Sequence, residues 1–498
     1  MKKIAIIGSG VAGLASAIRL KVNGYDVDIY EKNPIVGGRM SIIKKNGFLF
    51  DVGPTFVMFP DIYKEIFIYA GKSPDNYFTM QRLDPMCVLS YADGKEFQMS
   101  NDLVKTMKNL EGLSEKDVLG YLEYIADVYK KYLYVKKNCL EKTYRNIFEQ
   151  YSLKSLIAGS KLKKFKSTYG LIRKYIQDEK LIQALAVQNI FLGINPETSP
   201  SFYSIIPIMA SIYGVWYIKG GMYTYAKSLE KLFLELGGKI HFNTRVEEII
   251  IDKKKIQGIL IDREVKRYDI VLSNADFPYA TKYLMKEEED KSRFPTKKVE
   301  KMEYSSSAFM LYLGLNKKYP NLPVHNIRFS KDFNQNIKDL YEDRIPDDPT
   351  IYLYSPSQID ESVAPSGKEI LYVSVPVPNL HDSENKWKKD LVTDFSEKIL
   401  NMLEKIKGFE DIRNHIEVKI PFSPEDFKEK FMMFKGALYG LKPILSQSNY
   451  FRPQNRARVA RNLYFAGGSS HPGPGVPFVL TSAKLAVSEI IKDSKRKS

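Results

Sequence analysis

The sequence predicts an α/β fold whose parts are interleaved along the chain. Three observations predict it. An apolar run, Lys3-Ile4-Ala5-Ile6-Ile7, enters the turn Gly8-Ser9-Gly10-Val11-Ala12-Gly13, and a helical pattern through Leu14, Ala17 and Ile18 follows. A second strand-like run, Asp26-Val27-Asp28-Ile29-Tyr30, ends at Glu31. Far along the chain, Asn462-Leu463-Tyr464-Phe465-Ala466-Gly467-Gly468 forms another strand-and-glycine block, followed by His471-Pro472-Gly473-Pro474-Gly475-Val476-Pro477. Strand, glycine turn, helix, strand and terminal acid make a Rossmann-like βαβ unit.

The glycines of the first turn have separable roles. Gly8 permits the tight turn after the strand, Gly10 lets the backbone approach a pyrophosphate, and Gly13 lets the helix pack on the strand. The helix N-terminus offers free N–H groups and the positive end of its dipole. Glu31 stands at the distance expected of a ribose-binding acid. Gly37-Gly38-Arg39, soon after Glu31-Lys32-Asn33, suits a backbone passing close to a phosphate with a guanidinium beside it. The run Phe48-Leu49-Phe50-Asp51-Val52-Gly53-Pro54-Thr55 reads as a strand ending in a turn. With the C-terminal glycine block, these features predict a flavoprotein oxidoreductase wrapped around FAD.

The 498 residues fit two or three domains, and 44% hydrophobic content excludes a disordered chain. Residues 1–75, 215–285 and 440–498 are expected to form a discontinuous FAD-binding domain. Residues 76–214 are expected to be a helical, basic membrane and substrate region, and residues 286–439 a substrate-binding domain. Within them, Lys219-Gly220-Gly221-Met222-Tyr223 opens a helix through Leu229, Leu232 and Phe233, stopped by Gly237-Gly238. Strands are expected at residues 239–242, 246–252, 269–273, 307–313 and 370–375, and a helix within residues 386–406.

Cys87 and Cys139, the only cysteines, carry neither metal spacing nor a disulfide framework, which suits a cytosolic chain. The first strand starts almost at residue 1, so no signal peptide is expected. His241, His325, His381, His415 and His471 are not spaced as ligands, so no metal site is expected.

Net charge is +16, and between Val128 and Lys174 thirteen basic residues face two acidic ones, a local +11. Tyrosines and leucines are interleaved with them. Such a stretch binds nucleic acid or an anionic membrane, or is a solvated basic face. No nucleic-acid motif accompanies it, so a nucleic-acid partner is not expected. Residues 201–218 contain no charge. Pro207, Gly214 and five aromatic residues speak against a simple spanning helix. An interfacial wedge, a tunnel wall and a buried core helix remain open readings of this stretch.

Several blocks together resemble the phytoene-type carotenoid desaturases of the flavin amine oxidase superfamily, and more narrowly their dehydrosqualene-desaturating branch. They are Glu31-Lys32-Asn33 with Gly37-Gly38-Arg39-Met40, Phe50-Asp51 with Gly53-Pro54-Thr55, Tyr203-Ser204-Ile205-Ile206-Pro207, Lys219-Gly220-Gly221-Met222-Tyr223, Gln447-Ser448-Asn449-Tyr450 with Arg452-Pro453-Gln454-Asn455, and His471-Pro472-Gly473 with Gly475-Val476-Pro477. Gly468 and Ser470 stand where relatives often carry alanine and threonine. The resemblance implies an FAD site made by Ile7, Gly8, Ser9, Gly10, Val11, Ala12, Gly13, Leu14, Glu31, Lys32, Gly38, Arg39, Met40, Pro54, Thr55, Val246, Gly467, Gly468, Val476 and Pro477. Val246 would face the adenine through its backbone, and the backbone around Val476 and Pro477 would sit beside the isoalloxazine.

The resemblance further implies stepwise desaturation of dehydrosqualene (4,4'-diapophytoene), a long apolar isoprenoid hydrocarbon, at the cytoplasmic face of an anionic membrane. Reoxidation by a quinone or oxygen is expected, because only one dinucleotide-binding turn is present. No catalytic acid or base is assigned. A diapolycopene oxidase, a C40 phytoene desaturase and a non-catalytic lipid carrier on the same scaffold are the alternatives. The complete set of flavin blocks weighs against the carrier.

Overall fold

The computed structural model describes residues 2–149, 167–191, 193–380 and 387–495. In chain order its main elements are β1 (Lys3–Ile7), α1 (Val11–Val22), β2 (Asp26–Tyr30), β3 (Cys87–Ser90), β4 (Glu96–Met99), α2 (Glu115–Val135), α3 (Glu179–Ile190), α4 (Ile205–Tyr213), α5 (Met222–Glu235), β5 (Lys239–His241), β6 (Ile270–Ser273), β7 (Ser307–Leu315), β8 (His325–Arg328), β9 (Ile351–Tyr354), β10 (Glu369–Val377), α6 (Lys389–Leu403), β11 (Ile416–Phe422), β12 (Leu463–Phe465) and α7 (Val476–Lys495).

Two sheets organise these elements. The first is parallel, with strand order β12-β6-β1-β2-β5, so its five strands come from three widely separated stretches of sequence. Alternation along β1 explains its burial on both faces. Ile4 and Ile6 pack with α1, α5 and α7 through Leu14, Leu229, Phe233 and Ile490. Ala5 and Ile7 pack instead with Ile249, Ile256 and Ile259 of a three-stranded antiparallel sheet (residues 248–267).

The second sheet has seven strands, in the order β11-β7-β10-β9-β8-β3-β4, antiparallel except where β8 pairs β3. Phe309, Leu311, Val373 and Val375 face α6 on one side. Met310, Tyr312, Tyr352 and Tyr372 face the other side, toward α2, α3 and α4. The stretch 76–214, expected to be helical, therefore also supplies β3 and β4. Period-2 alternation over four residues is too short to stand out beside the long helical patterns that follow it.

The uncharged stretch 201–218 is not an interfacial wedge. It folds as a 3₁₀ turn (Ser201–Ser204), α4 and a short strand (Trp216–Ile218). Ile208 and Met209 of α4 are fully buried in the core against α2 and α3. Its apolar character serves packing and, through Tyr203 and Ile205, the wall of a cavity. Among the described residues no helix is long and apolar enough to cross a membrane.

Asp51 joins the two bodies. Its carboxylate accepts the backbone N–H groups of Met222 (2.8 Å) and Tyr223 (3.0 Å) at the start of α5. Burial lifts this carboxyl to about 6, against those two hydrogen bonds. This contact explains two of the family-like blocks: each is half of one helix cap.

Candidate functional site

A single cavity of about 980 Å³ runs between the parallel sheet and the seven-stranded sheet. That is the upper end of the roughly 300–1,000 Å³ usual for small-molecule sites. One lobe lies at the carboxyl ends of the parallel strands, where α/β sheets bind ligands. It is polar and glycine-lined: Gly8, Gly10, Glu31, Lys32, Asn33 and Arg245 face it. The other lobe is aromatic, walled by Phe56, Phe59, Tyr132, Phe191, Tyr352 and Tyr372.

All of the positions expected at the cofactor line this cavity except Ser9, Gly13 and Leu14. Each exception has a physical reason. Ser9 is fully buried behind the turn, where its N–H and its hydroxyl each donate to Glu31 at 2.8 Å. Gly13 lies under the turn, and a Cβ there would sit 2.2 Å from the Gly8 carbonyl oxygen. Leu14 points into the core of the parallel sheet. These three shape the turn from behind.

The residues that do face the cavity are held in place by backbone partners. Glu31, at the end of β2, is braced by Ser9 and by the Asn33 N–H at 2.9 Å. Arg39 donates to the Leu438 carbonyl at 2.8 Å. Gly10 carries no side chain where one would meet Asn274 Oδ1 at 2.7 Å, so backbone lies bare at the polar lobe. The first turn of α7, from Val476, opens onto the same cavity. A bare glycine cradle, a braced acid, the half-buried Arg39 and a helix N-terminus suit a dinucleotide with its pyrophosphate.

Two further groups beside this lobe, Asp276 and Arg452, were not expected at the site. Asp276 follows β6. It accepts from Ser469 Oγ and from the Phe434 N–H at 3.2 Å, and burial raises its carboxyl above the ordinary range. Arg452, 2% exposed, donates to the carbonyls of Gly468 (2.6 Å) and Ser470 (3.1 Å), and burial lowers it to about 10. The position of Asp276 after a strand adjacent to β1 was a usable signal. Arg452 lies in an irregular segment, and its one signal was its place in a block shared with the resembled family. Among the described residues no group of His, Cys, Asp and Glu is arranged to hold a metal ion.

Comparison with known proteins agrees with this geometry. The model of the "Flavin containing amine oxidoreductase" family matches residues 11–491. The chain belongs to this family. Within it, the chain is 42% identical over 494 residues to a 4,4'-diapophytoene desaturase (4,4'-diaponeurosporene-forming) of Staphylococcus haemolyticus, covering 98% of this chain and 99% of that one. It is 41% identical over 499 residues to the protein of the same name from Staphylococcus aureus, covering 99% of each. The structure of wild-type putrescine oxidase superposes with a TM-score of 0.65 at 12% identity over 99% of each chain, which establishes a shared fold. This flavin-containing amine oxidoreductase takes FAD as its cofactor.

Proposed function

We propose that the chain is an FAD-dependent desaturase converting dehydrosqualene stepwise to 4,4'-diaponeurosporene-type thirty-carbon polyenes. The observation that carries this reading is the continuity of the cavity: a polar, glycine-lined lobe for a dinucleotide opens directly into an aromatic lobe. The 41–42% identity to proteins named as 4,4'-diapophytoene desaturases over nearly the whole chain supports the same substrate. The bound flavin supplies a hydride acceptor. The protein's own residues bind the pyrophosphate lobe through Gly10, Glu31 and Arg39, and hold the hydrocarbon among aromatic walls from which water is excluded.

An apolar substrate must enter from a membrane, and one segment fits that task. Tyr132, Tyr134, Val135, Cys139 and Leu140 line the cavity, while Lys130, Lys136 and Lys137 are exposed on the same stretch. Leu133 and Phe148 are also exposed, at 51% and 81%. Basic and apolar side chains beside a cavity wall support docking on an anionic bilayer at the cytoplasmic face. Five lysines of the +11 cluster, Lys154, Lys161, Lys163, Lys164 and Lys166, lie outside the described residues. Reoxidation by a quinone or oxygen belongs to the same reading.

The test is pigment analysis of a colourless host that makes dehydrosqualene and expresses this chain. Yellow thirty-carbon polyenes are expected. Unchanged dehydrosqualene, with FAD bound to the expressed protein, would overturn the substrate assignment.

A further inference from the structure

Desaturation removes a hydride and a proton from neighbouring carbons. The flavin accounts for the hydride alone, and the aromatic lobe must take the proton. Several hydroxyls line that cavity, and one of them reaches a buried imidazole. Tyr352, on β9, lines the cavity, and its hydroxyl lies 2.7 Å from Thr55 Oγ1 and 2.7 Å from His325 Nδ1. Thr55 lines the same cavity. His325, on β8, is 2% exposed, and its Nε2 is buried with no hydrogen-bond partner among the described residues.

The imidazole lies between two aromatic faces. Phe56 stacks on it at 4.2 Å and 18°, and Tyr354 at 5.0 Å and 13°. Aromatic faces favour a cation, which offsets part of the cost of charging a buried ring. Burial keeps the resting ring neutral, so Nδ1 is free to accept the Tyr352 proton.

We propose that Tyr352 is the catalytic proton acceptor of the reaction and that His325 positions it and takes up its proton. The proposal rests on the desaturase reading above. Once the hydride has left one carbon with its electron pair, the neighbouring C–H bond breaks and its electrons become the new π bond. The proton passes to Tyr352 Oη as the proton already on that oxygen moves to His325 Nδ1. Thr55, donating to Tyr352 Oη, turns the hydroxyl proton toward the imidazole. A strongly acidic allylic cation needs only a weak base, provided the base is correctly placed.

The test uses holoenzyme with dehydrosqualene carrying deuterium either at the hydride-losing or at the proton-losing carbon, followed anaerobically by flavin bleaching and polyene absorbance. Tyr352→Phe should lower polyene formation about a hundredfold, in the range usual for loss of an acid–base group, with FAD content and KM unchanged. The isotope effect at the proton-losing carbon should rise, because its loss becomes limiting. His325→Gln, which keeps a hydrogen-bonding side chain and loses basicity, should do the same to a smaller degree. A normal rate in Tyr352→Phe, or a slow rate with both isotope effects unchanged, would overturn the relay. If a variant does not fold, wild-type enzyme in D₂O decides: a slowed polyene-forming step is expected, and an unslowed one overturns the proposal. Flavin that never bleaches in the wild type would instead remove the desaturase reading itself, and the relay with it.

Discussion

At the residue scale the site depends on atoms that are missing or braced. Gly10 presents bare backbone to the polar lobe, and a side chain there meets Asn274. Gly10→Val should therefore weaken FAD binding by about a hundredfold or more, roughly 2.7 kcal/mol, while the sheet still folds. Flavin absorbance against protein concentration after desalting measures it, and a variant with stoichiometric FAD contradicts it. Two buried imidazoles make a second prediction. Burial lowers His325 from 6.5 to about 3, and lowers His471 to about 4, where Arg452 adds to the effect. Their folded values lie below the unfolded ones, so the stability they contribute is complete above pH 6.5 and is lost as pH falls toward 4 and 3. The melting temperature should drop over that window, and less steeply in His325→Gln; identical pH profiles would refute it. The sequence motifs revealed Gly10 and Glu31 because each has a fixed local job. They also drew in Ser9, Gly13 and Leu14, whose work is to support the turn. His325 and Tyr352 were not legible, because their partnership is made by strand pairing: Ile327 sits opposite Tyr352, and His325 opposite Tyr354.

At the element scale, α7 is the piece on which both ends of the cavity depend. Its first turn faces the cavity, and its last turns are tied to the segment 142–149 by ions. Arg145 donates to Glu489 at 2.7 Å and to Asp493 at 3.1 Å, and the Glu489 side chain is 1% exposed. Arg145→Ala leaves Glu489 buried with weaker compensation from Thr143 and Lys492. A cost of about 2–3 kcal/mol is expected, below the roughly 3–5 kcal/mol of a fully buried pair, because Arg145 is partly exposed. Chemical denaturation measures it, and an unchanged midpoint would show that the pair contributes nothing. Elements with a long period were legible: α5 was located from Leu229, Leu232 and Phe233, and β7 and β10 from their apolar runs. The stretch 201–218 was not decided by its composition, since a core helix and an interfacial wedge share the same residues. What separates them is the company α4 keeps, the fully buried Tyr124 and Val128 of α2 and Leu185 of α3, and that is a tertiary fact.

At the scale of the whole molecule, chain order and spatial order differ. The parallel sheet takes strands from both ends and the middle of the chain, which is why glycine blocks more than 400 residues apart face one cavity. That convergence was legible because both blocks carry recognisable chemistry. The seven-stranded sheet was legible only in pieces, since nothing in β3 or β4 names its distant partner. The exposed basic and apolar side chains between Lys130 and Phe148 predict binding to anionic liposomes that weakens as salt screens the lysines. Co-sedimentation at low and high salt checks it, and equal binding to neutral liposomes at low salt would refute the electrostatic part. The central claim is that one cavity brings FAD and a thirty-carbon hydrocarbon together. Its most direct test is anaerobic mixing of the FAD-loaded protein with dehydrosqualene in liposomes while the flavin and polyene bands are recorded together. Loss of the oxidised flavin band is expected, matched, two electrons for each new double bond, by the stepped absorption of a lengthening polyene. Flavin that stays oxidised while the dehydrosqualene in the liposomes is recovered unchanged would contradict it.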